Sequence, residues 1–285
     1  MKKLKTAWQN FAADFANVLG GAIAQLLWLP KIHYQQGAEG VRRAKGGTVF
    51  ILNHTWWFDA AILCILCLRR RIHAVVAMDV AEKGHATGGL HSLRCICVDR
   101  RKPDLSFLHE ALGILRAGGC VAIFPEGQLN PAESLLPFKQ GAAMLALQAG
   151  VPVVPVYSAG NYQPFQRLQI ILGRPITLTQ RPSAAGVQEA TQVLQDAMQN
   201  LRQKLEQCMK PKYLARSRRF REKFAAKLKN GRKEKKYDTG TPDQSGAERS
   251  GGLGCRSDRR NACDDAGKPW PQQHHHADAD GRHRG

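Results

Sequence analysis

The chain has eight cysteines but none of the close, regular spacings of a disulfide-stapled small domain, and Cys64, Cys67, Cys95, Cys97 and Cys120 lie inside apolar runs. That usage excludes a secreted disulfide scaffold and predicts a reducing compartment. Cys64-x-x-Cys67 has no second pair at metal-ligand spacing, so it is read as core packing and no metal is expected. Acidic residues are also scarce: Lys+Arg number 42 against 23 Asp+Glu, a net charge of +19. The excess is uneven, because Lys210 to Lys236 alone hold 13 Lys/Arg and 2 Glu. The charge predicts an acidic partner, nucleic acid or an anionic membrane surface; the remainder is mildly basic and lacks a basic, aromatic-lined face, which argues against a nucleic-acid groove running across the fold. Beyond Tyr237 apolar residues almost vanish. Residues 237–285 therefore cannot repay the entropy of ordering, and a disordered tail is predicted there, His274-His275-His276 included.

A long uninterrupted apolar run is missing as well. Residues 1–30 come closest, with Leu4, Trp8, Phe11, Phe15, Val18, Leu19, Ile23 and Leu26 on one side of a helical wheel and Lys3, Asn10, Asp14, Asn17 and Gln25 on the other. A spanning helix would carry Asp14 into hydrocarbon at a cost of about 2.5–3.5 kcal/mol. The pattern predicts an amphipathic helix lying in a membrane interface; packing of its apolar side on its own domain is the alternative. Ala22-Ile23-Ala24 mimics a signal-cleavage site, but the polar interruptions before it argue against secretion.

From residue 46 to 176 the pattern alternates. Strand-like runs occur at 49–52, 72–77, 95–98, 120–124, 151–157 and 168–172, with helical stretches at about 58–69, 104–117 and 139–149. Such alternation predicts an α/β fold with a largely parallel sheet flanked by helices, over residues 31–209. Pro152 and Pro155 place the 151–157 run at a sheet edge or in an irregular wall. A helix from 184 to 204 closes the domain with Val187, Ala190, Thr191, Leu194, Met198, Leu201 and Leu205 on one face. Residues 210–236 follow as a basic helix with Phe220, Phe224 and Leu228 at four-residue spacing, the composition of a membrane-surface or calmodulin-target-like helix, with a nucleic-acid-binding tail as the rival.

The chemistry is placed at Asn53-His54-Thr55-Trp56-Trp57-Phe58-Asp59, directly after the 49–52 strand, with Thr55 as a helix N-cap. On a regular helix five residues leave two side chains about 140° apart, so His54 and Asp59 meet only if the chain turns between them. Asp59 then accepts one imidazole proton, and the other nitrogen is free to deprotonate a hydroxyl. The spacing alone is unspecific: His275 and Asp280 in the tail repeat it. Two further strand ends carry polar residues. One runs into Asp99-Arg100-Arg101-Lys102, a basic cluster suited to phosphate. The other runs into Pro125-Glu126-Gly127, where Glu126 either orients an acceptor hydroxyl or caps neighbouring amides, and glycine lets the backbone approach a ligand.

Taken in order, His54-x4-Asp59, Val98-Asp99-Arg100, Phe124-Pro125-Glu126-Gly127 and Val151-Pro152-Val153-Val154-Pro155 resemble the blocks of the glycerolipid acyltransferases typified by lysophosphatidic acid acyltransferases. The resemblance spans about residues 45–180. It implies transfer of a fatty acyl group from acyl-CoA or acyl carrier protein to a lysophospholipid hydroxyl, most directly that of 1-acylglycerol-3-phosphate; the two terminal helices are expected to hold the chain on the cytoplasmic face of a membrane. Neither cofactor nor covalent acyl-enzyme is implied. His54 is the implied general base and Asp59 its orienter, Arg100 an acceptor-phosphate ligand, and Glu126 with Gly127 the acceptor site; backbone amides near the turn are candidates for the oxyanion. One departure stands out: the family's Thr-Arg after Glu-Gly is replaced by Gln128-Leu129. Phosphate recognition then falls to Arg100, Arg101 or Lys139, and a neutral or glycosylated lipid acceptor becomes a second reading. A catalytically silent membrane-binding module is the alternative of another class.

Overall fold

A computed structural model describes residues 15, 18–56, 59–66, 72–77, 95–98 and 106–238, with the backbone alone at 60, 61, 64, 106 and 231–238. The expectations for Asp14, for the Cys64/Cys67 pair, for Asp99 to Lys102 and for the tail beyond 238 lie outside what is described.

Seven strands form the sheet: β1 (Lys31–Tyr34), β2 (Thr48–Leu52), β3 (Ile72–Ala77), β4 (Ile96–Val98), β5 (Cys120–Ile123), β6 (Val153–Ser158) and β7 (Gln169–Leu172). Their order is β1-β7-β6-β2-β5-β3-β4. Every neighbouring pair is parallel except β6–β7, so β1 and β7 run against the other five. The helices are α1 (18–28), α2 (Asp59–Leu66), α3 (Ser106–Arg116), α4 (Gly141–Ala149), α5 (Ala184–Cys208) and α6 (Pro211–Asp238).

A parallel sheet covered on both faces needs strands that are apolar on both sides. β2 and β6 are buried along their whole length, and alternate residues feed two cores. Val49, Ile51, Val121, Val153 and Tyr157 pack with Leu112 of α3, Leu145 of α4 and Leu194 of α5. Phe50, Leu52, Ala122, Val154 and Val156 pack on the opposite face with Ile62 and Ile65 of α2 and Trp28 of α1. α5 buries the seven residues its periodicity predicts. Ser183 caps it by accepting from the Gly186 amide at 3.2 Å.

The prolines do not put β6 at an edge: it lies between β2 and β7. The direction of each backbone group explains this. Pro152 precedes the strand and contributes only its carbonyl, which accepts from Val49 N at 3.1 Å. Pro155, like Val153, turns its backbone polar groups to the β7 side, and its carbonyl accepts from Gly173 N at 2.8 Å. Its missing N–H thus falls where β7 has already ended, and costs no bond within the paired registers. β1, a short half-exposed strand, was not legible as one.

Candidate active site

β6, β2 and β5 lie side by side and point the same way, so the chain leaving each C-terminus converges on one rim. Asn53 locks two of these exits together. Its Nδ2 donates to Ser158 O at 3.0 Å and its Oδ1 accepts from Ser158 N at 2.8 Å. His54 follows, and the chain turns before α2 begins at Asp59. The turn brings the pair together: His54 Nδ1 lies 3.0 Å from Asp59 Oδ2.

Asp59 is fully buried, and a buried carboxylate must be satisfied by donors. Oδ2 also accepts from Thr55 N at 2.5 Å and Trp56 N at 2.8 Å, and Oδ1 from Thr55 Oγ1 at 3.2 Å and from the Tyr162 hydroxyl. Thr55 thus donates to Asp59 through both its amide and its hydroxyl; the amides of residues 57 and 58, which a cap would bind, lie outside the described residues. With so many donors on it the carboxylate is an acceptor, which places the proton on His54 Nδ1 and the lone pair on Nε2. No described residue hydrogen-bonds Nε2. The ring stacks on Phe124 at 4.3 Å and 28°, and its side chain keeps 22% exposure.

Glu126 is buried at the end of β5, and its carboxylate turns to backbone and amide donors. Oε1 accepts from His54 N at 3.2 Å; Oε2 accepts from Asn130 Nδ2 at 2.6 Å and Leu136 N at 3.0 Å. Asn130 N in turn donates to His54 O at 2.6 Å. These bonds tie the His54 backbone to the 126–136 loop through Glu126. The same accounting bears on the oxyanion. The amides of His54, Thr55 and Trp56 are taken by carboxylates, and that of Gly127 by Phe124 O. None of these four is a free oxyanion donor.

Gly127 has φ +67, and a Cβ built on it would stand 2.6 Å from Lys139 Cε and 2.8 Å from Nζ. The lysine therefore lies directly over the Glu126-Gly127 turn, held by its own amide on Pro125 O at 2.8 Å. It is exposed, whereas Leu129 is half-buried. The structure thus gathers His54, Asp59, Glu126, Gly127 and Lys139 at one rim; Arg100 lies outside the described residues.

Tyr162 belongs to this rim and was missed. It follows β6 by four residues, so the strand-end rule that located His54 and Glu126 extends to it once β6 is placed beside β2. Burial raises its phenol pKa well above the usual value, and the Asp59 charge adds to that. The hydroxyl therefore stays a donor. Around it an aromatic cluster closes: Trp28 of α1 at 5.6 Å, Trp56 at 5.1 Å and Phe220 of α6 at 6.3 Å. Trp56 also meets Phe220 at 5.3 Å and Phe224 at 6.1 Å. The α6 aromatics are thus turned onto the His54–Asp59 turn. Arg221 is buried beside them, donating to the Tyr157 hydroxyl at 3.2 Å. Gly160, at φ +75, makes room: a Cβ there would sit 2.8 Å from Thr55 Oγ1 and 3.1 Å from Arg221 Nε.

Residues 33–159 match the family model described as Acyltransferase. The 1-acyl-sn-glycerol-3-phosphate acyltransferase of Bacillus subtilis (strain 168) is 26% identical over 172 residues, 58% of this chain and 85% of that protein. The human 1-acyl-sn-glycerol-3-phosphate acyltransferase alpha is 42% identical over 96 residues, 31% of this chain and 34% of that protein. The crystal structure of the 1-acyl-sn-glycerophosphate (LPA) acyltransferase PlsC from Thermotoga maritima aligns with a TM-score of 0.46 at 16% identity, covering 70% of this chain and 98% of that one.

Proposed function

Since residues 33–159 match the Acyltransferase family model, we propose that the chain moves a fatty acyl group from a thioester donor, acyl-CoA or acyl carrier protein, to the hydroxyl of 1-acylglycerol-3-phosphate. The observation that carries the reading is the His54–Asp59 pair at 3.0 Å, with Nε2 unengaged at the C-terminal rim of the sheet. Nε2 takes the acceptor hydroxyl proton as its oxygen attacks the thioester carbonyl. The tetrahedral intermediate then collapses, the C–S bond breaks, and the thiolate leaves with the proton returned from the imidazolium. A positioned base of this kind contributes typically 10²–10⁴-fold, while the thioester already supplies the leaving group. Lys139 over Gly127, together with Arg100, supplies cations for the acceptor phosphate in place of the one lost at Leu129.

The same reading puts the enzyme on the cytoplasmic face of an anionic membrane. Among the described residues no helix is long and apolar enough to cross one. What supports interfacial contact is the outward face of α1: Val18, Leu19, Ile23 and Leu26 are exposed, whereas Gly21, Ala24 and Trp28 turn to the domain. Exposed Leu29 and Phe165 extend that face, and Phe165 N is bonded to Leu27 O at 2.5 Å. On α6 the exposed Lys212, Arg216, Arg219, Lys223 and Lys227 provide charge.

Leu129 favours a second reading, a neutral or glycosylated lipid acceptor. Labelled acyl-CoA offered with lysophosphatidate or with a neutral lysolipid decides between the two. For the phosphate acceptor, Arg100→Ala lowers kcat/KM about ten- to hundredfold, the worth of a charge-assisted contact, and Leu129→Arg raises it or leaves it unchanged. Unchanged kcat/KM for Arg100→Ala on lysophosphatidate, with turnover of the neutral lipid, would establish the second reading.

A further inference from the structure

The Asp59 carboxylate has two kinds of donor. Thr55 and Trp56 lie within four residues of it and come with the turn. The Tyr162 hydroxyl arrives from the loop after β6, 103 residues away in sequence, and is the one long-range donor to Asp59 among the described residues. It is also the one whose placement depends on the rest of the molecule. Trp28 Nε1 donates to the Tyr162 carbonyl at 2.9 Å and sets its ring edge-on at 88° to the phenol. Trp56 and Phe220 close the remaining sides. A ring buried among three aromatics has no freedom to swing its hydroxyl away, so Oδ1 is held while Oδ2 faces His54.

We propose that Tyr162 is a positioning residue of the acyl-transfer site: its hydroxyl fixes the Asp59 carboxylate and tempers its charge, thereby setting both the orientation and the basicity of His54. This rests on the reading of His54 as general base. A donor on Oδ1 draws electron density from the carboxylate and weakens its hold on the imidazolium. Without that donor Asp59 holds the imidazolium more tightly, and His54 loses its proton only at higher pH. Among the described residues, the other charged or titratable groups around the pair are Glu126, beyond the His54 amide, and Arg221 of α6, against Tyr157.

The test compares full-length wild type, Tyr162→Phe and a protein carrying 3-fluorotyrosine at position 162, each checked by thermal unfolding, with acyl transfer measured from about pH 5 to 9. Phenylalanine keeps the ring packing and the Trp28 bond, which goes to the backbone. Tyr162→Phe is expected to lower kcat about ten- to hundredfold with KM within about twofold, and to move the acid limb of kcat/KM to higher pH. Fluorotyrosine, a stronger donor of nearly the same size, is expected to move that limb the opposite way. If Tyr162→Phe unfolds, the fluorotyrosine shift alone decides. An acid limb unmoved in the folded variants, or displaced in the same direction in both, overturns the proposal and leaves Tyr162 a packing residue. His54→Ala run alongside separates the two failures: full turnover in that variant strikes the general-base reading instead.

Discussion

At the scale of the residue, burial and donor count assign the roles. Asp59 receives five donors and presents no free lone-pair direction to solvent, whereas His54 keeps one nitrogen unengaged beside a partly exposed ring face. Replacing Asp59 by Asn puts an NH₂ group where donors already point. Asp59→Asn should therefore lose most of the turnover and also unfold more easily, by about 1–3 kcal/mol for the mispaired group, as denaturant titration will show. His54 and Asp59 were legible from spacing and strand position because the signal is local. Tyr162 was not, because its only link to Asp59 is tertiary and nothing in Asn161-Tyr162-Gln163 marks it as more than a loop. Glu126 was legible as a strand-end acid, but its partners were not. Which amides a carboxylate caps depends on how the 126–136 loop folds back, and sequence spacing does not specify that.

Elements follow periodicity where packing has one solution. β2, β3, α4 and α5 lie close to their hydrophobic patterns because each buries the face its pattern defines. β6 shows the limit of a composition rule: a proline excludes only the hydrogen bond it would have donated, and at Pro155 that bond was not required. α6 is the more instructive departure. Its Phe220, Phe224 and half-buried Leu228 stripe suggests insertion into lipid, but in the fold Phe220 and Phe224 meet Trp56, and Arg218 bridges to Glu133 at 2.8 Å. The helix is a strap across the His54–Asp59 turn as well as a carrier of charge. Ending the chain at Met209 should then reduce turnover on a detergent-solubilised acceptor, where no membrane is needed. Ending it after Asp238 should leave that rate within about twofold. If the Met209 truncation turns over detergent-solubilised lipid at the full-length rate, α6 serves attachment alone.

Over the whole molecule, the proposed membrane attachment divides between apolar and charged surfaces. Exposed Val18, Leu19, Ile23 and Leu26 offer apolar area, and each cation near an anionic surface adds about 1 kcal/mol that salt screens. Ile23→Asp combined with Leu26→Asp should weaken vesicle binding at every ionic strength while leaving the melting temperature unchanged, because both side chains already face solvent. Vesicle flotation at low and high salt reads the two contributions separately. The composition made the charge asymmetry plain at once; which side of α1 faces the domain was not legible, since the small residues Gly21 and Ala24 carry no hydrophobic signal yet form the packed side. All of this serves a single claim, that the unengaged nitrogen of His54 takes the acceptor proton. The most direct measurement is the rate of acyl transfer from a labelled thioester by purified His54→Ala protein whose melting curve matches wild type. The account predicts a fall of about 10²–10⁴-fold with the fold intact. Wild-type turnover by that folded variant would contradict it.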